Sequence, residues 1–80
     1  MSVPVPAYVR MLAFLHDYRR DRGQETAVFI DVPESGVTAA ELAHSLDLPL
    51  ERIEGLFLNG HLVGLGALVR PGDRAAFVPH

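Results

Sequence analysis

The chain has 80 residues, of which 49% are apolar, a formal net charge of -3, no cysteine and, since all seven basic residues are arginines, no lysine. That length allows one modest core and excludes a deep catalytic pocket, the missing cysteine excludes disulfides and iron-sulfur clusters, and the missing lysine excludes lysine-based Schiff-base or phosphate chemistry. The acidic balance argues against nucleic acid as a partner, and the lack of a basic leader or of an apolar run of ~20 residues predicts a cytoplasmic chain with no membrane partner.

Pro4 and Pro6 deny helix and ladder hydrogen bonds to the first residues, so Ser2 to Pro6 is expected to be an extended lead-in. Tyr8 to His16 is apolar on both parities and is predicted as the first strand. A helix is the competing reading, because Met11, Leu12 and Leu15 also fit a helical stripe. Asp17 to Glu25 is polar, with Gly23 suited to a reversal, and is predicted as a hairpin loop. Arg19, Arg20 and Arg22 carry guanidinium forks that suit anions, but Asp17 and Asp21 nearly neutralise them, so a solvated loop is expected. Thr26 to Val32 is β-branched and aromatic, a second strand with Val28, Ile30 and Val32 on one face and Ala27, Phe29 and Asp31 on the other.

After the turn-forming Pro33-Glu34-Ser35-Gly36, Thr38 can cap the amide of Glu41 while the Glu41 carboxylate reaches back, and Val37 can staple onto Leu42. The predicted helix runs from Ala39 to Asp47 and buries Ala39, Leu42, Ala43 and Leu46, with Glu41 and His44 outward. Pro49 to Gly55 is expected to be a connector whose Leu50 and Ile53 plug the core edge. Leu56 to Leu58 and His61 to Val63 flank Asn59-Gly60, the strongest short hairpin signal in the chain. A loose Gly64-Leu65-Gly66 segment crosses over, and Arg74 to Val78 makes the last strand after the Pro71-Gly72-Asp73 turn. The expected fold class is α+β, a single domain over residues 1 to 80 with element order β-β-α-β-β-β.

Catalytic and metal signatures are weak. His16, His44, His61 and His80 show no i,i+3 or i,i+4 spacing, so no metal site is expected. Ser2, Ser35 and Ser45 sit in no nucleophile motif, and Gly64-Leu65-Gly66 lacks the third glycine and following helix of a dinucleotide site. No cofactor and no enzymatic activity are expected. Strand parity is more informative. If Leu56, Leu58, Ala75 and Phe77 face the helix, Phe57, Ala76 and Val78 face away, on a surface that the single predicted helix leaves bare. Such a patch, rimmed by Arg74 and Arg10, is a candidate protein-binding surface, with scattered apolar surface or a dimer contact as the alternatives.

Val37-Thr38 and Glu41-Leu42 at the helix start, Leu58-Asn59-Gly60 at the hairpin, and Leu68, Gly72-Asp73-Arg74 and Phe77-Val78-Pro79 at the end form an ordered set. In this respect the chain resembles the ubiquitin-like β-grasp sulfur carriers of the ThiS and MoaD family, and the related domains attached to Mut7-C nucleases. The resemblance spans Tyr8 to Pro79. It implies a mixed sheet of four to five strands on one helix, with the first and last strands parallel neighbours at its centre. It also implies a protein partner, either an E1-like adenylating enzyme or another enzyme of thiamine or molybdopterin cofactor biosynthesis. Sulfur carriers present a C-terminal Gly-Gly for adenylation, where this sequence has Pro79 and His80. The expectation is therefore an interaction module that keeps the docking sheet, with Phe57, Arg74, Ala76 and Val78 as docking residues and Pro79-His80 as the tail. Two alternatives stay open: a sulfur carrier activated through the His80 carboxylate, and an RNA-binding module like the TGS domains, which the acidic balance and few exposed aromatics oppose.

Overall fold

Seven strands, two α-helices and one 3-10 turn are formed among residues 5–80, the part of the chain that the computed structural model describes. Of the extended lead-in expected over Ser2 to Pro6, residues 2–4 lie outside the described residues, and residues 5 and 6 precede the first strand without belonging to a helix or strand. Five strands make a mixed sheet: β1 (Ala7–Met11), β2 (Ala27–Ile30), β4 (Ile53–Leu58), β5 (His61–Val63) and β7 (Arg74–Pro79), in the order β2-β1-β7-β4-β5. A separate pair joins β3 (Val37–Thr38) to β6 (Leu68–Val69). The first and last strands of the large sheet, β1 and β7, are parallel neighbours, and every other pairing in it is antiparallel.

The first half of the chain departs from the sequence reading. The strand expected over Tyr8 to His16 stops at Met11, and the chain turns at Ala13, whose φ is 49°. It then forms α1 (Phe14–Asp21) through most of the segment predicted as a hairpin loop. Arginine is a good helix former, and Leu15 and Arg19, four residues apart, bury one side of that helix while Phe14 and Tyr18 line another. The polar composition therefore marks a one-sided helix, not a loop. The element order gains a helix after the first strand, so the expectation of one helix is overturned.

The second helix, α2 (Ala39–Ser45), starts where the capping signal indicates: Thr38 Oγ1 accepts from the Glu41 amide at 3.1 Å. Ala39, Leu42, Ala43 and Leu46 are buried as the helical spacing requires. The helix ends at Ser45, two residues before the predicted end, because the chain enters a left-handed conformation at Asp47, with φ 59°. A 3-10 turn over Leu50–Arg52 follows, and β4 begins at Ile53, three residues ahead of the predicted strand. Ile53 does plug the core; Leu50 is 39% exposed and does not.

Both strand-parity readings hold. Val28, Ile30 and Val32 pack against the core while Phe29 stands outside. Leu56, Ala75 and Phe77 are buried, and Leu58 packs beside them. Asn59 and Gly60, at φ 51° and 88°, form the left-handed two-residue turn whose twist suits a hairpin, aligning Leu56 with Val63, Phe57 with Leu62 and Leu58 with His61. Phe77, Met11, Leu15, Leu56, Val9 and Val69 are the largest fully buried side chains, from five different elements. Each contributes about 1.5–3 kcal/mol of burial free energy, so the inner face of the sheet and the two helices share one core.

Candidate functional site

The register of the large sheet brings five side chains into one row on its outer face: Ala27 on β2, Arg10 on β1, Ala76 on β7, Phe57 on β4 and Leu62 on β5. A second row beside it holds Phe29, Tyr8 and Arg74. Strands alternate their side chains between faces, so these rows are the outward counterpart of the buried Val9, Met11, Leu56 and Phe77. Neither helix covers them. Phe29 is 71% exposed, Leu62 60% and Phe57 41%.

Of the residues proposed from the sequence, Phe57, Arg74 and Ala76 come together here. With Tyr8 and Arg10 they line a shallow depression of about 150 Å³. Val78 shares their face further along β7, opposite Gly55 of the neighbouring strand, and is half-buried. Pro79 and His80 lie apart: Pro79 pairs with Ile53, the His80 amide donates to the Arg52 carbonyl at 3.1 Å, and His80 Nδ1 is 4.0 Å from the Glu54 carboxylate.

Tyr8, Phe29 and Leu62 belong to the surface and were not singled out in the sequence. The signals existed. Leu62 stands directly opposite Phe57 across a two-residue turn, and Phe29 follows the parity of the second strand. Tyr8 and Phe29 are in contact, with ring centroids 4.9 Å apart at 54°, and the Arg74 guanidinium lies 5.6 Å from the Tyr8 ring centre. The expectation of few exposed aromatics is corrected: Phe14, Phe29 and Phe57 are all exposed, Phe14 on α1 and the other two on this face.

The arginine cluster divides into different roles. Arg19 is buried and hydrogen-bonds to backbone carbonyls, contrary to the solvated loop expected for it. Arg20 pairs with Asp17 and Asp21 at 3.4 and 3.2 Å on the surface, and Arg22 lies 3.9 Å over the Tyr18 ring. Among the described residues, no group of three or more histidine, aspartate or glutamate side chains could hold a metal ion, and no helix is long and apolar enough to cross a membrane.

The outer face thus offers apolar area, three aromatic rings (Tyr8, Phe29 and Phe57) and two cations (Arg10 and Arg74). Comparison of the chain with protein-family models and with curated proteins gives no significant match to either.

Proposed function

We propose that this chain is a ubiquitin-like β-grasp domain related to the ThiS and MoaD sulfur carriers, acting as a non-catalytic protein-interaction module in thiamine or molybdopterin cofactor biosynthesis. The observation that carries the reading is the open outer face, where Phe57, Leu62 and Phe29 are exposed around Ala76. An apolar sheet face is higher in free energy while it stays wet, and burying it against a partner lowers that free energy. The parallel β1–β7 pair at the middle of a mixed sheet also supports the β-grasp assignment. On this reading Phe57, Arg74, Ala76 and Val78 make the docking surface, and the partner is an E1-like adenylating enzyme or another enzyme of the same pathway.

Calorimetric titration against the E1-like enzymes of the two pathways tests it. Saturable binding by the wild type, abolished by Ala76→Glu with an unchanged amide fingerprint spectrum, supports the proposal; no binding to either enzyme sinks the pathway assignment. Intact-mass measurement after incubation with enzyme, ATP and a sulfur source separates docking from chemistry, since a C-terminal adenylate or thiocarboxylate would make the chain a carrier.

A further inference from the structure

The charges of the large sheet are segregated, and the arrangement says what the face is built to meet. The chain carries ten acidic residues against seven arginines. Only one of the ten, Glu54, lies in the five strands of the large sheet. It sits beside His80, at the end of β4 away from the Asn59-Gly60 turn. Arg10 and Arg74, the two arginines of those strands, stand near the opposite end on neighbouring strands: Arg10 is level with Ala76, and Arg74 is level with Tyr8, one step diagonally away. Both are exposed, and among the described residues neither makes an ion pair.

Both arginines line the depression together with Ala76, Tyr8 and Phe57. Two like charges on adjacent strands with no counter-charge between them repel, and a shared anion reverses the sign of that interaction. The forks of arginine match a carboxylate in bidentate geometry. Apolar residues continue from the depression through Phe57 to Leu62 on one side, and on the other Tyr8 meets Phe29, whose ring it already contacts.

Resting on the docking role given above, we propose that the partner presents an extended acidic-apolar segment, with an aspartate or glutamate carboxylate held between Arg10 and Arg74 and apolar side chains laid over Ala76, Phe57 and Leu62. The face suits single-stranded nucleic acid less well. The Tyr8 ring is engaged with Phe29 and Arg74, and two cations do not track a phosphate chain.

Selection of random linear peptides displayed on phage against the full chain, followed by anisotropy titration of the synthetic peptides, tests the assignment. The selected peptides are expected to be acidic with interspersed leucine, isoleucine or phenylalanine. Replacing their carboxylates by amides, or using the Arg10→Gln/Arg74→Gln protein, should weaken binding about tenfold or more, as the loss of charge-assisted hydrogen bonds demands. An amide fingerprint spectrum of the double variant controls for folding. Selected peptides without net negative charge, or binding that the double variant retains, would overturn the acidic partner while leaving the docking face intact, provided Phe57→Ala still abolishes binding. If Phe57→Ala also has no effect, both readings fall. Equal affinity for oligouridylate or for acetate alone, or self-association of the chain through this face, would likewise overturn it.

Discussion

Arg19 and Leu46 tie the two helices together. The buried Arg19 guanidinium donates from Nη1 to the Leu46 carbonyl at 2.6 Å, just past the end of α2, and from Nε to the Glu25 carbonyl at 2.6 Å. One side chain thereby closes the C-terminal end of α2 and holds the loop that leads into β2, and a cation at a helix C-terminus also favours the backbone dipoles. Arg19→Leu removes both bonds and leaves two carbonyls short of a donor. It should cost about 2–4 kcal/mol in urea unfolding, whereas Arg20→Ala, which removes only exposed pairs, should stay within about 0.5 kcal/mol.

Gly55 and Val63 stand in close contact between β4 and β5. A Cβ on Gly55 would lie 2.5 Å from the Val63 carbonyl oxygen, and that obstacle is backbone, which cannot swing aside. Gly55→Ala should therefore push β5 away from β4, cost roughly 1–3 kcal/mol, and raise hydrogen-exchange rates for the β5 amides. Gly64→Ala is the contrast, because a Cβ there meets open space and φ is not positive. Its unfolding midpoint should match the wild type.

Asn59 holds two turns against each other. Its Nδ2 donates to Asp73 Oδ1 at 3.0 Å, its Oδ1 accepts from the Arg74 amide at 2.9 Å, and its own backbone adopts φ 51°. Asn59→Ala loses both bonds and keeps the left-handed conformation, which alanine tolerates poorly, so a loss of about 2–3 kcal/mol is expected. Asn59→Gly relieves the backbone without restoring the bonds and should fall between alanine and wild type. Thermal denaturation of the three proteins gives the order directly, and a glycine variant less stable than the alanine variant would contradict it.

Exposure and burial separate the two faces of β4 and β7. Phe77 is fully buried, so Phe77→Ala should cost roughly 3–5 kcal/mol, most of the stability of so small a domain. Phe57→Ser and Leu62→Ser, at positions 41% and 60% exposed, should each stay within about 1 kcal/mol of the wild type. Both should lower retention on a phenyl hydrophobic-interaction column. A large loss of stability from Leu62→Ser would show that the outer face supports the fold and is not a free surface.

Where the hydrogen bonds and packing are local, the sequence alone determined the outcome. Thr38 and Glu41 announced the start of α2, Asn59-Gly60 announced the β4–β5 hairpin with its register, and parity along β4 and β7 divided Leu56 and Phe77 from Phe57 and Ala76. These are decided by contacts between residues two to four apart or by the two-residue period of a strand. Tertiary structure alone decided what Phe14 to Asp21 became. Its composition fits an exposed loop as well as a helix, and the choice falls to Leu15 and Arg19 finding partners elsewhere, Arg19 at Leu46, 27 residues away. The convergence of Tyr8, Arg10, Phe57 and Arg74 around one depression is of the same kind, because it depends on β1 pairing in parallel with β7 across most of the chain. Parity states which side of a strand a residue faces; only the pairing of distant strands states which residues become its neighbours.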